Sequence, residues 1–582
     1  MQRIACARHF ARAALVLPLL LAAFAGPAHS APIDQPHALL AQLSLEQKVG
    51  QLFLITIYSD TLDQADRALI ANLQPGGVVL FPFNLGTPQQ VTQLTNALQS
   101  YMYEIGPGIP LLIAVDQEGG AVSRLTDGFT RFPAPLMLGA AANHADAMQL
   151  GYAMGQEMAA VGITMNLAPV ADLQYPAQDA DRMQVLYRRT LSSDPARVGL
   201  LAGGLAAGMR QAGVIGVLKH FPGHGAAIQD SHAELPQVNL SRAEVEQTTL
   251  AAFQGAIDEG AAAIMFGHLY YPALDPGGRR PASLSPVVID LLRNDMGFSG
   301  VTISDAMDMG AILKDYSMSE AVIASINAGM DMIAFGPHVT AYDQQVVVAA
   351  VIEAARAGRI APARLDEAVA RALALRNSYG LMDWTPLDVD NTEQRLRQDE
   401  HRDVLMRLAL HAVTVLDNSR SLLPLDPDRQ RIVLVYPVDY SAIVQECLQH
   451  DPDAIMVAYS YEPSAQDISG AITAAAQADR VVVFIEDIAE NRRQYDLVWA
   501  LPPEKTVAVS LRSPYDWIDL PVPLSTVVLT YDSTPAAHRA ACRVVYGVAP
   551  ARGSLPVVVG PYPVGTGVLY DSARPILAGD VP

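Results

Sequence analysis

Val214-Ile-Gly-Val-Leu-Lys-His-Phe-Pro-Gly-His-Gly225 begins as an apolar, β-branched run and ends in a basic, histidine-bearing turn punctuated by proline and glycine. A short run that is apolar at every position reads as a strand buried on both faces, the condition of a parallel sheet covered by helices. The same unit recurs in Gln51–Ile57, Gly77–Phe83, Pro110–Val115, Ile163–Pro169, Val214–Leu218, Ala261–Phe266, Val301–Ile303 and Met330–Phe335, which makes eight. Helical patterns separate the runs, over Asp60–Leu73, Thr87–Tyr103, Asn143–Val161, Pro195–Ala212, Ser241–Glu259, Pro286–Met296 and Ser317–Ala328. Ser241-Arg-Ala-Glu244 is a capping box, and Asp194-Pro195 reads as an N-cap followed by proline at the first helical position. Eight strand-and-helix units predict an α/β fold, a closed (β/α)8 TIM-type barrel. An open doubly wound sheet is the alternative, because periodicity does not report closure.

Beyond the barrel units a helical stretch runs from Val346 to Asn377, followed by a polar segment rich in Pro and Asp with no clear period. Strands are expected again at Arg431–Tyr436, Arg480–Ile485, Thr506–Leu511 and Ser525–Tyr531, with helices at Ala465–Ala478 and Pro535–Val545. The expected organisation is a leader at residues 1–30, the barrel at 31–380, a linker at 381–400, and a smaller α/β layered-sheet domain at 401–582. The leader has Arg3, Arg8 and Arg12 before an apolar run, then the small residues of Ala28-His29-Ser30, the pattern of a signal peptide cleaved near Ala31. Export to the periplasm or the extracellular space is expected, without stable membrane insertion once the leader is removed. Of three cysteines, Cys6 falls in the leader, while Cys447 and Cys542 remain as thiols that a disulfide would join, a pairing that spacing alone does not decide.

The whole chain of 582 residues is 51% apolar and carries a formal net charge of −21, a packed acidic protein with no sequence-wide attraction for nucleic acid or anionic lipid. In a barrel, the residues just after each strand converge on one mouth. There the chain places Asp116, Asp172, Lys219, His220, His268 and Asp305. His224 and His232 follow on the loop after the fifth run, and Asp230, two residues before His232, is placed to fix its tautomer. Taken singly, each histidine reads as a hydrogen-bonded structural group; clustered after neighbouring strands, they read as a site. Asp305 is a candidate nucleophile, base or metal ligand, or alternatively the N-cap of the next helix. Arg124, Arg188, Arg189 and Lys219 are placed to hold substrate oxygens or to form ion pairs.

Ala114-Val-Asp-Gln-Glu-Gly-Gly120, Lys219-His-Phe-Pro-Gly-His-Gly225 with Asp230-Ser-His232, Pro281-Ala-Ser-Leu-Ser-Pro286, and Ser304-Asp305 with Met309 resemble, in order and approximate spacing, the family 3 glycoside hydrolases, and within them the β-N-acetylglucosaminidase branch. The resemblance is strong over about residues 38 to 380 and fainter beyond 400, where Leu501-Pro502 and Gly553-Ser-Leu-Pro-Val557 look like the second domain of many such enzymes. It implies a retaining exo-β-N-acetylglucosaminidase acting on β-linked amino-sugar glycans, either peptidoglycan fragments or chitooligosaccharides, with no cofactor and no metal. By the same resemblance Asp305 is the catalytic nucleophile and His232, paired with Asp230, the acid/base. Asp116, Arg124, Arg189, Lys219 and His220 hold the terminal N-acetylglucosamine, and His224 shapes the loop. Ala121 stands where the family usually has Arg, Ala226-Ala227 replace a common Asp-Thr, and Tyr175–Val185 is longer than expected. The competing readings are a β-glucosidase or N-acetylglucosamine phosphorylase, the first with Glu490 of the second domain as acid, a barrel metallohydrolase using His220, His224, His232 and Asp305, and a non-catalytic sugar-binding protein.

Overall fold

The computed structural model describes residues 35–175, 186, 188–520 and 522–571, so the leader and most of the Tyr175–Val185 stretch lie outside the described residues. Each of the eight runs forms a strand: β1 Phe53–Thr56, β2 Gly77–Val79, β3 Leu112–Val115, β4 Met165–Asn166, β5 Ile215–Phe221, β6 Ala263–Phe266, β7 Val301–Ser304 and β8 Ile333–Ala334. They pair in parallel in the order β7-β6-β5-β4-β3-β2-β1-β8. The circuit closes between β7 and β8 through the parallel bridge Ile303–Met332, supported by Ser304 N donating to Met332 O at 3.0 Å and Met332 N to Thr302 O at 2.9 Å. The sheet is therefore a barrel, and the open alternative does not hold.

Its interior is filled by inward side chains such as Leu54, Leu112, Met165, Ile215, Met265 and Met332, all buried. The helices His144–Ala160 and Pro195–Gln211 cover one side, and they approach so closely that a Cβ at Gly208 would lie 2.1 Å from Met148 O. Only glycine fits there. The base of the barrel is held by Arg376, fully buried on the helix Pro362–Ser378, whose guanidinium donates to Pro110 O at 2.9 Å, to Ala372 O at 2.8 Å and to Gly76 O. Burial pushes this guanidinium down to about 9. The expected helix from Val346 to Asn377 is two helices, Ala341–Arg356 and Pro362–Ser378, broken at Gly358, whose φ of 72° suits glycine.

The segment read as a linker is strapped along the barrel. Asn96 exchanges hydrogen bonds with the backbone of Leu387 at 2.8 and 2.9 Å, Trp384 stacks on Tyr103, and Arg395 reaches Ala160 O at 3.0 Å. Short helix is present within it at Thr392–Leu396, and the helix Gln398–Ala412 leads on to the second sheet. That sheet contains β9 Thr414–Asn418, β10 Ile432–Pro437, β11 Ile455–Tyr459, β12 Arg480–Ile485, β13 Thr506–Ser510 and β14 Thr526–Leu529, in the order β11-β10-β12-β13-β14-β9. All pairs are parallel except β14 with β9. Cys447 and Cys542 are joined by a disulfide that ties the helix Ser441–His450 to the helix Pro535–Val545. Among the described residues, no helix is long and apolar enough to cross a membrane.

Candidate active site

The C-terminal ends of β3 and β5 bring together the most tightly coupled charges of the mouth. Lys219 Nζ lies 2.6 Å from Asp116 Oδ1 and 2.7 Å from Glu118 Oε1. Arg189 grips Glu118 with two prongs, Nε to Oε2 at 2.8 Å and Nη2 to Oε1 at 2.7 Å. Burial pushes the Glu118 carboxyl up, but Lys219 and Arg189 outweigh it and hold the group at about 2. Glu118 is therefore a permanent anion between two cations, while Asp116 is only partly buried and faces the opening. Between them Gln117 turns the chain: its Oε1 accepts from Arg124 N at 2.8 Å and Leu125 N at 3.1 Å. This pins Arg124 by its backbone, and its buried Nε has no hydrogen-bond partner among the described residues.

β5 loses register with β6 between Leu218 and Phe221, and across that irregularity the adjacent Lys219 and His220 both find partners at the mouth. His220 Nδ1 lies 2.7 Å from Asp172 Oδ2, and Asp172 Oδ1 accepts from His224 N at 2.6 Å. Burial would raise the Asp172 carboxyl, but the imidazole of His220 and then that of His224 hold it below its ordinary range. His224 is buried with Nε2 2.9 Å from Ser231 Oγ, and burial pushes its imidazole down. Its ring thus links the start of the loop to Ser231, next to the Asp230–His232 pair.

Asp305 follows β7, its N–H donating to Phe266 O at 2.9 Å and its carboxylate accepting from Ala306 N at 2.8 Å. It does not cap the next helix, Gly310–Leu313, whose N-cap position belongs to Met309. Burial raises the Asp305 carboxyl, and the fields of His220, His268 and Lys219, with the Ala306 N–H, hold it below the usual carboxylate range. His268 is fully buried between Ser283 Oγ at 2.7 Å and Ala306 O at 3.1 Å, and so braces the residue whose N–H binds the Asp305 carboxylate.

The Asp230–His232 pair is more exposed. Asp230 Oδ1 lies 2.7 Å from His232 Nδ1 and accepts from His232 N at 2.9 Å, an arrangement that leaves Nε2 outward. The imidazole side chain is 66% exposed. The loop carrying the pair is fastened to the segment after Asp305: Gly310 N donates to His232 O at 3.0 Å and Ala311 N to Ser231 O at 3.1 Å. Among the described residues, no hydrogen bond or ion pair joins the dyad to Asp305 directly. Arg188 pairs with the second domain, its Nη1 2.9 Å from Asp487 Oδ1. Glu490, the acid considered from sequence, is exposed after β12. Glu118 and Ser283 were not singled out in the sequence, although both sit inside the motif strings quoted there.

A closed (β/α)8 barrel whose mouth holds an ionised carboxylate among imidazole, ammonium and guanidinium groups is an arrangement that glycoside hydrolases use. The model of the Glycosyl hydrolase family 3 N terminal domain matches residues 44–375, and the chain belongs to that family. It is 30% identical over 552 residues to beta-hexosaminidase A of Pseudoalteromonas piscicida, covering 84% of this chain and 90% of that one. It is 28% identical over 551 residues to the beta-N-acetylglucosaminidase/beta-glucosidase of Cellulomonas fimi, covering 89% and 94%. A family 3 beta-N-acetylglucosaminidase from Paenibacillus sp. str. FPU-7 superposes with a TM-score of 0.74 at 30% identity, over 89% of this chain and 99% of that one.

Proposed function

We propose that this glycoside hydrolase is a retaining exo-β-N-acetylglucosaminidase that releases terminal N-acetylglucosamine from β-linked glycans, peptidoglycan fragments or chitooligosaccharides. In this reading Asp305 attacks the anomeric carbon and forms a covalent glycosyl ester, while His232 protonates the departing oxygen; water then attacks the ester with His232 as base. The observation that carries it is the ionised Asp305 carboxylate, fixed by Ala306 N–H, with the Asp230–His232 loop fastened to the same segment. A nucleophile must be ionised and stationary, and the proton donor must be a group that exchanges protons near neutral pH, as imidazole does. Asp230 keeps the proton of His232 on Nδ1 in the neutral ring, which leaves Nε2 to serve the leaving group. Asp116, Lys219, His220, Arg124 and Arg189 hold the hydroxyl and acetamido groups of the terminal sugar. The names of the Pseudoalteromonas and Paenibacillus relatives support this substrate class. The leader at residues 1–30 adds export to the reading.

The test is a series of aryl β-glycosides with and without the 2-acetamido group, assayed in water and in phosphate. Turnover confined to 2-acetamido substrates, with free sugar as product in both media, is expected. The Cellulomonas relative's double name makes a β-glucosidase activity the outcome to compare against. Asp305→Asn should abolish turnover on every substrate. His232→Ala should slow poor leaving groups far more than good ones and be rescued by azide; equal losses without rescue would remove His232 from the role.

A further inference from the structure

Arg188 has a φ of 64°, the left-handed region that a residue with a side chain occupies only where its surroundings hold it. The two neighbouring arginines diverge from this point. Arg189 turns into the barrel and grips Glu118, which shares Lys219 with Asp116. Arg188 turns outward to Asp487, Nη1 lying 2.9 Å from Oδ1 and 3.3 Å from Oδ2. Asp487 is itself well placed to act as an anchor. It sits directly past the end of β12, is 6% exposed, and its second oxygen lies 3.0 Å from Arg512 Nη1. Its carbonyl accepts from Glu490 N at 3.0 Å and Asn491 N at 3.1 Å, so its backbone is fixed as well. Two charge-paired groups, Arg512–Asp487–Arg188 on one side and Arg189–Glu118–Lys219–Asp116 on the other, are thus joined through the backbone between Arg188 and Arg189.

We propose that Asp487 is a positioning residue: by holding Arg188 it sets the turn from which Arg189 clamps Glu118, and so the placement of Lys219 and Asp116. The second domain then tunes sugar binding without touching the sugar. This rests on the assignment of Asp116, Arg189 and Lys219 to the sugar subsite. A turn released on one side lets the cluster drift, and misplacement of about 1 Å at such a site costs up to about a hundredfold.

The experiment measures KM and kcat on an aryl 2-acetamido-β-glucoside for the full chain and for Asp487→Asn, Arg188→Gln, Arg188→Lys, Arg512→Gln and the Asp487→Asn/Arg188→Gln pair, with thermal unfolding of each. Asp487→Asn and Arg188→Gln should each raise KM about tenfold with a smaller change in kcat. The pair should be no worse than either alone, because both cut the same link. Arg188→Lys should recover most of the affinity, and Arg512→Gln, which leaves the Arg188 contact in place, should change KM by less than about threefold. An active wild type whose KM is unmoved by Asp487→Asn and Arg188→Gln, or whose two losses add, would overturn the positioning role alone. A wild type inactive on this substrate class would overturn the functional reading and the positioning role together.

Discussion

Asp516 is the group whose titration the structure ties most directly to stability. It lies in the turn Pro514–Trp517 after β13, 2% exposed. Burial pushes its carboxyl up to about 7, opposed first by the Ser510 hydroxyl and then by the Ile488 N–H, with the charge of Asp487 adding to the rise. The geometry agrees with a protonated acid. Ser510 Oγ lies 2.6 Å from Ser513 O and 2.7 Å from Asp516 Oδ2, and a hydroxyl has one proton. Donated to the Ser513 carbonyl, that proton leaves a lone pair facing Asp516, which a neutral carboxyl meets with its own O–H and a carboxylate cannot. Because the folded value is raised, the stabilisation is complete below the unfolded value near 3.8 and is lost as pH rises toward 7. The shift of about three units corresponds to about 4 kcal/mol. Asp516→Asn keeps an acceptor for Ile488 and a donor for Ser510 but cannot ionise. The variant and wild type should be equally stable near pH 4, then diverge by about 1.4 kcal/mol per pH unit in the variant's favour up to about pH 7. Urea unfolding at unit intervals from pH 4 to 9, followed by tryptophan fluorescence, reads the difference, with Trp499 and Trp517 both in the second domain. A constant difference across that range would refute the assignment of a neutral buried acid.

Glu118 has the opposite sign: its folded value is depressed from 4.5 to about 2, so it contributes about 3 kcal/mol above pH 4.5 that is lost as pH falls to 2. Glu118→Gln should cost about 3–5 kcal/mol near neutrality by removing the buried carboxylate that Lys219 and Arg189 share, and acid titration of its unfolding should lack the wild-type loss. In Gly310→Ala the new Cβ would meet Ala233 O at 2.5 Å and His232 O at 2.6 Å, so the dyad loop must shift. Its kcat should fall about tenfold or more on poor leaving groups and less on activated aryl glycosides, a ratio that steady-state kinetics on the two substrates reads. The Cys447–Cys542 bond closes a loop of 95 residues, and its removal by a double Ala substitution should cost about 2–5 kcal/mol in the second domain, measured by urea unfolding.

The barrel was legible because its strands are mostly apolar and buried along their length, a pattern imposed by cover on both faces. Lys219, His220 and Asp305 were legible for a related reason: a charge placed directly after such a run has only the mouth to occupy. β9, Thr414-Val-Leu-Asp-Asn418, carried no such signal, because as a sheet edge it needs no continuous apolar run. β11, Ile455-Met-Val-Ala-Tyr459, is apolar throughout and could have been read by the same rule, although as an edge it leaves most of its residues partly exposed. The expected helix Ser241–Glu259 breaks at Thr248, whose hydroxyl lies 3.0 Å from Tyr175 OH, a contact 73 positions distant that no local pattern contains. Glu118 escaped attention because its meaning lies in Arg189, 71 residues away, and in Lys219 on another strand. Asp487 and Arg188 are 299 residues apart, and neither one alone suggests the other.

Barrel closure also sets an order in time. β1 pairs with β2 soon after both are made, but its other edge waits for β8, and Thr56 Oγ1 donates to Phe335 O 279 residues later. The carbonyl of Pro110 waits longer still, for Arg376, which also adds a second donor to the Gly76 carbonyl that Leu112 N already meets at 3.0 Å. During synthesis, then, the earliest strand to form is among the last to be completed: a chain stopped before β8 exposes an open edge at its start, and one stopped short of residue 376 leaves the Pro110 carbonyl without its Arg376 donor. Quality control would see an interrupted product as unfinished at its beginning as well as at its end.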